Sequence, residues 1–136
     1  MELTDVVNEI VTGLANGKEI LEKTGIGDVI KSGILSLKTA TKSLFSKNKM
    51  ANETLDKFEK DPADNLSKGT LTAFLHTELS ASNEKMLELE KIVTELNENI
   101  KRNEVASQII IKNSKNVAQN ISHVTGNIQI GDVNSK

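Results

Sequence analysis

The side chains with the clearest potential for acid–base or metal chemistry in this chain are two histidines and a series of helical glutamates. His76 and His123 lie far apart in the sequence, and neither belongs to a metal-ligand pattern such as HExxH. Glu84, Glu88 and Glu95 recur at helical spacing opposite an apolar stripe, which is typical of a solvated helix face. We therefore predict that the protein is not an enzyme and has no catalytic residue, metal site or cofactor.

A different chemistry, self-assembly through stacked strands, is indicated by residues 106–136. This segment contains five Asn and three Gln but a single acidic residue. Its isoleucines alternate in two related units, at Ile109 and Ile111 and again at Ile128 and Ile130. In stacked copies of such a strand the Ile rows bury one another, and the amide side chains form hydrogen-bonded ladders. We predict that the segment forms β-strands that template assembly.

The candidate assembly residues comprise these isoleucines and the small or polar residues beside them. They are Ile109, Ile111, Asn113, Ile121, Gly126, Asn127, Ile128, Ile130, Gly131 and Asp132. Two other structures would also fit the composition of the segment. It could be a β-hairpin folded onto the rest of the chain, or a disordered polar extension.

The elements that would carry such a tail are helices, because residues 1–105 show the 3.6-residue apolar periodicity. Five helices are predicted, at residues 3–21, 27–45, 51–60, about 65–79 and about 83–102. Asp64 or Asn65 is expected to cap the fourth helix, and Ser80 or Ser82 the fifth. The predicted fold class is all-α: a bundle of about five helices over residues 1–105, followed by a short β-forming C-terminal segment.

The first two predicted helices form a hairpin that is amphipathic, glycine-bearing and basic on one side. The GxxxG of Gly13 and Gly17 lets two helices approach closely, within the bundle or at a membrane. Lysines on the second helix would attract anionic lipid, or they simply keep that helix solvated. The candidate membrane-interacting residues are Val7, Ile10, Gly13, Leu14, Gly17, Lys31, Lys38 and Lys42.

Composition argues against one class of partner and favours one cellular compartment. The chain has a formal net charge of −2, one Arg and no Trp or Tyr, which argues against nucleic-acid binding. It has no Cys, as is usual in the cytoplasm, and its acidic N-terminus is unlike a secretory signal. We expect a cytoplasmic protein that could be recruited to the inner face of the membrane.

Two short motifs carry a resemblance to a known class of proteins. Residues 55–62, LDKFEKDP, follow a pattern of the form hydrophobic-x-x-Phe-Glu-x-Asp-Pro that is common in small bacterial proteins. Residues 126–132, GNIQIGD, resemble the Gly-Asn-hydrophobic-x-hydrophobic-Gly-Asp motif at the C-termini of such proteins. The overall plan resembles that of bacterial amyloid-signalling effectors, with a helical HeLo-like or Bell-like cell-death domain and an amyloid-like C-terminal motif.

The resemblance implies a non-enzymatic effector of bacterial defence or programmed cell death. A sensor protein with a matching motif, often a nucleotide-binding receptor, would template the tail into a cross-β stack. The clustered N-terminal helices would then act at the membrane. The chain departs from the fungal examples of the class in one respect, because Glu9, Asn16 and Lys18 interrupt the apolar character of its first helix.

The residues themselves leave two other functions open. The chain could be a structural module held in a closed oligomer, for example a trimer, by its C-terminal strands. It could also be an antitoxin-like regulatory protein that covers its partner with amphipathic helices.

Overall fold

The chain folds into helices throughout the part that the structure describes. The structure is a computed structural model, and it describes the backbone of residues 1–125 and the side chains of residues 1–114. Over that range it contains six helices: α1 (Leu3–Glu22), α2 (Asp28–Leu44), α3 (Lys49–Lys60), α4 (Asn65–Ser80), α5 (Asn83–Lys101) and α6 (Glu104–Thr125). The all-α prediction for this part of the chain is confirmed, and α1–α5 match the five predicted helices closely.

Local capping explains where several of these helices begin. The Asp64 carboxylate accepts a hydrogen bond from the Leu66 amide at 3.2 Å, and the Ser82 hydroxyl accepts one from the Lys85 amide at the same distance. Each side chain satisfies an amide that the first turn of a helix leaves without a partner. In the loop between α1 and α2, Gly25 takes a φ of +83°, a left-handed conformation that glycine adopts without strain.

The helices share one apolar core. α1 lies near its centre and contacts all the other helices, and α2 packs along α5. α1 and α2 meet closely at the GxxxG, where a Cβ placed on Gly13 would lie 2.6 Å from Cδ2 of Leu37. A Cβ on Gly17 would lie 3.0 Å from Cγ2 of Ile34. The two glycines therefore serve close helix packing inside the bundle.

The strand prediction for the first alternating unit is wrong. Residues 104–125 form α6, so Ile109, Ile111, Asn113 and Ile121 belong to a helix. The physical reason is the core beneath it: Ala106 and Ile109 are buried there, at the i, i+3 spacing of a helix face. Contacts with the folded bundle thus override the β-propensity of an Ile-rich run.

The predicted boundary between residues 105 and 106 falls inside α6. Ala106 and Ile109 belong to the same core as the helices before them. The second alternating unit, with Gly126, Asn127, Ile128, Ile130, Gly131 and Asp132, lies outside the described residues.

Candidate functional site

The apolar face of α1, which the sequence offers as a membrane-binding surface, lies inside the bundle. Val7, Ile10 and Leu14 are buried in the common core. Gly13 and Gly17 are buried on the same helix, against α2. In this conformation the face is covered by protein, so any membrane function of α1 requires the bundle to open.

The three lysines proposed for lipid contact differ in their surroundings. Lys38 is partly buried: its stem passes over Gly17, and its Nζ lies 3.7 Å from Oε2 of Glu59 on α3. That carboxylate oxygen is buried and has no hydrogen-bond partner among the described residues, so the Lys38 ammonium is its compensating charge. Lys31 is half-buried and Lys42 is exposed. Lys38 is therefore part of the fold, whereas Lys42 faces solvent.

α6 is attached to α1 by a small apolar contact followed by a polar one. Its first turns bury Ala106 and Ile109. One turn further on, the Asn113 amide donates a hydrogen bond to Oδ1 of Asn16, a side chain that is itself buried. The amide of Asn16 in turn donates to the Thr12 carbonyl at 2.8 Å. Both polar ends of the buried Asn16 thus have partners, and one of those partners belongs to α6.

An ion pair continues this polar contact towards the surface. Lys112 Nζ lies 2.6 Å from Oε2 of Glu19, and the Asn113 amide donates to the other carboxylate oxygen of Glu19 at 3.4 Å. The hydrogen bond from Lys112 is the main reason that the pKa of Glu19 is lowered from its ordinary 4.5. We call Asn16, Glu19, Lys112 and Asn113 the polar clasp.

The polar clasp should make stability depend on pH in a defined direction. Because the pKa of Glu19 is lower in the folded state, its contribution is fully present above pH 4.5 and is lost as the pH falls through the folded-state pKa. We expect Lys112→Met to raise the pKa of Glu19, measured by NMR titration of its carboxyl carbon. The variant should also lower the free energy of unfolding at pH 7 by less than about 1 kcal/mol, because the pair is solvent-screened.

The matched control for this prediction is Lys68→Met, which removes a charge from an exposed position of α4. It should leave the pKa of Glu19 unchanged. If Lys112→Met also left that pKa unchanged, or if its effect on stability were larger at pH 3 than at pH 7, the ion pair would not exist in solution.

The structure places the predicted assembly residues of α6 in different surroundings. Ile109 is buried, Ile111 is exposed and Asn113 belongs to the polar clasp. Ile121 lies in α6, and its side chain is outside the described residues. Ile109 and Ile111 are two residues apart, so they would share one face of a strand. In the helix they lie on different sides.

Sequence reasoning missed two residues that hold α6 in place. Asn103 accepts a hydrogen bond from the Ala106 amide at 3.0 Å, which caps α6, and donates one to the Gly25 carbonyl at 3.2 Å. An Asn followed by Glu104 is a usual start signal for a helix and was visible in the sequence. Asn16 appeared only as an interruption of an apolar helix, and nothing in the sequence identified its partner.

The described residues form no catalytic or metal-binding cluster of the kinds that the sequence was searched for. His76 is half-buried on α4. The histidines and carboxylates that the structure describes form no group of three that could hold a metal ion. Over the same part of the chain, no helix is both long and apolar enough to cross a membrane.

Comparison of the chain with protein-family models, with curated proteins and with solved structures finds no match to any of them.

Proposed function

We propose that the protein is a non-enzymatic, self-assembling effector of bacterial defence or programmed cell death. Its C-terminal segment, with Ile128 and Ile130, would template oligomerisation, and its N-terminal helices would act at the membrane. The observation that carries the proposal is the position of α6: it lies on α1 and leads directly into that segment. Assembly of the tail and exposure of α1 are thereby connected through one helix.

The contacts of α6 suit a helix that can leave the bundle. The polar clasp consists of hydrogen bonds and an ion pair, which water can replace when α6 leaves. The net contribution of a typical intramolecular hydrogen bond to the free energy of unfolding is only about 1 kcal/mol. In the described part of α6, Ala106 and Ile109 are the buried apolar side chains, and Ile110 packs partly buried against the same core. Removing α6 would uncover part of α1, whose apolar face could then bind lipid after further opening.

The partners follow from this proposal. The homotypic partner is a further copy of the chain, in a fibre or a closed oligomer, and the upstream partner is a sensor protein with a matching motif. The membrane partner is an anionic lipid surface, reached from the cytoplasm. No nucleic acid and no cofactor enter the proposed function.

The first test is whether the tail assembles. The full-length protein should form fibres that bind thioflavin and are visible by electron microscopy. The double variant Ile128→Lys/Ile130→Lys should form none, because like charges would stack at every level of a fibre. Adding the same two charges at the very end of the chain, as Asn134→Lys/Ser135→Lys, is the matched control and should leave fibres in place.

Three results would overturn parts of the proposal. A soluble oligomer of fixed size with no fibres at any concentration would favour the closed structural module. Loss of helical circular dichroism in the Ile128→Lys/Ile130→Lys variant would mean that the tail belongs to the folded core. If the assembled full-length protein released no dye from vesicles containing anionic lipid, the membrane step would be removed while assembly remained.

A further inference from the structure

The outward side of α2 is unusual for an exposed helix because small hydroxyl residues occupy its centre. Ser32, Ser36, Thr39 and Ser43 recur there at a spacing of four, three and four residues. Val29 and Leu35 on the same side are 65% and 53% exposed. The solvent-facing side of a helix in a globular protein usually carries charged side chains, whereas on this side Asp28, at the N-terminal end, is the charged residue in line with the hydroxyls. We call this surface the α2 face.

The α2 face is continued by two adjoining clefts between α2 and α5. One has a volume of about 610 Å³ and is lined by Ser32, Leu35, Ser36, Thr39, Ala40, Ser43, Glu88 and Ile92. The other, of about 390 Å³, shares Ser36 and Ile92 with the first and extends to Val29 and Glu95. Together they form a shallow groove along most of α2, with apolar side chains in it and no lysine or arginine lining it.

The two flanks of the α2 face carry opposite charges. On the α5 side the groove is bordered by Glu88, Glu95 and Glu98. On the opposite flank, helical periodicity places Lys31, Lys38 and Lys42 in one row. Lys38 locates that row, because its stem contacts α1 at Gly17 and its ammonium is paired with Glu59 on α3. Lys31 and Lys42 are therefore the lysines of this flank that can pair with a second copy.

We propose that the α2 face binds the α2 face of a second copy of this chain, about a two-fold axis parallel to α2. Rotation about that axis sets the lysine flank of one copy against the glutamate flank of the other. A two-fold axis perpendicular to α2 would instead set glutamates against glutamates and lysines against lysines. The charges on the two flanks therefore favour the arrangement in which the two α2 helices run parallel.

Shape supports the same partner. The small hydroxyl side chains let two helix backbones approach closely, and close approach covers Val29 and Leu35. α2 is roughly 25 Å long, so the shared face falls below the ~800 Å² per partner of a standard interface. The dimer should accordingly dissociate on dilution.

This dimer is independent of the tail and does not rest on the proposed function. Its test uses the full-length chain carrying Ile128→Lys/Ile130→Lys, in which tail assembly is blocked, and the wild-type chain at concentrations where no fibres form. Analytical ultracentrifugation should show a reversible monomer–dimer equilibrium in both. A monomer throughout the concentration series would overturn the proposal.

A matched pair of variants locates the interface. Thr39→Lys places like charges at the axis and should raise the dimer dissociation constant by more than about tenfold. Thr77→Lys makes the same change at an exposed position of α4 and should leave it unchanged. Equal dissociation constants for the two variants would show that any dimer uses another surface.

Single cysteines decide the orientation, since the chain contains no other Cys. In a parallel pair, Ser32→Cys and Ser43→Cys each face their own counterpart and should give disulfide-linked dimers, which need Cα atoms within about 7 Å. In an antiparallel pair those counterparts would lie roughly 16 Å apart. Failure of both cysteines to crosslink, in a chain that still dimerises, would overturn the parallel arrangement.

Discussion

Replacing Ile109 with glutamate is expected to detach α6 from the bundle while the other helices remain folded. Ile109 is 4% exposed and packs in the core, where an unpaired carboxylate costs several kcal/mol. The chain can avoid that cost by releasing α6, whose other contacts are the buried Ala106, the partly buried Ile110 and the polar clasp. Hydrogen–deuterium exchange should therefore rise to near-solvent rates in peptides covering residues 104–114, with α2–α5 still protected.

Ile111→Glu is the matched control because Ile111 is 45% exposed on the same helix. It should leave exchange in residues 104–114 close to that of the wild type. If these residues formed a strand, the two side chains would share one face and the two variants would behave alike. Equal effects would thus contradict α6. If the proposed function is correct, Ile109→Glu should also increase dye release from anionic vesicles by the assembled protein.

Truncating Leu96 to alanine is expected to cost about 2–5 kcal/mol of unfolding free energy. Leu96 is buried on α5 and fills the space that two glycines leave at the junction with α1 and α2. Its Cδ1 lies 3.0 Å from where a Cβ on Gly33 would be, and its Cδ2 lies 3.7 Å from the same point on Gly13. Glycines have no side chain that could move into the cavity, so relaxation is limited and the cost should fall in the upper half of that range.

Leu87→Ala on the same helix is the comparison, because Leu87 is exposed. It should change the free energy of unfolding by less than about 0.5 kcal/mol. Denaturant titrations of both variants with the Ile128→Lys/Ile130→Lys background measure the difference without interference from tail assembly. A cost below about 1 kcal/mol for Leu96→Ala would mean that α1, α2 and α5 do not meet in the way described.

Much of the bundle follows from local sequence signals. Apolar residues at helical spacing located α1–α5, and residues such as Asp64 and Ser82 marked where two of them begin. These signals act over one or two turns, so they can be recognised without knowing what each helix packs against. Residue types and their spacing were likewise enough to see that the sequence contains no metal-ligand or nucleotide-binding motif.

The candidate site followed from sequence only in part. The tail drew attention because its isoleucines alternate, yet Ile109 and Ile111 lie on different sides of a helix. Whether such a run becomes strand or helix depends on what its side chains can bury, and the core contributed by α1 and α5 is not local to it. The contact between Asn16 and Asn113 joins residues from opposite ends of the chain, and no local pattern encodes such a pair.

The amino-acid sequence by itself determined the number and placement of the first five helices, which of their faces are apolar, and the amide-rich character of the tail. These properties are set by propensity, periodicity and composition, which are properties of neighbouring residues. Only the tertiary structure decided that α6 is a helix, that the apolar face of α1 is covered, and that glutamates of α5 border the hydroxyl-lined face of α2. Those outcomes depend on which helices pack together, because burial and charge pairing are shared between segments distant in the chain.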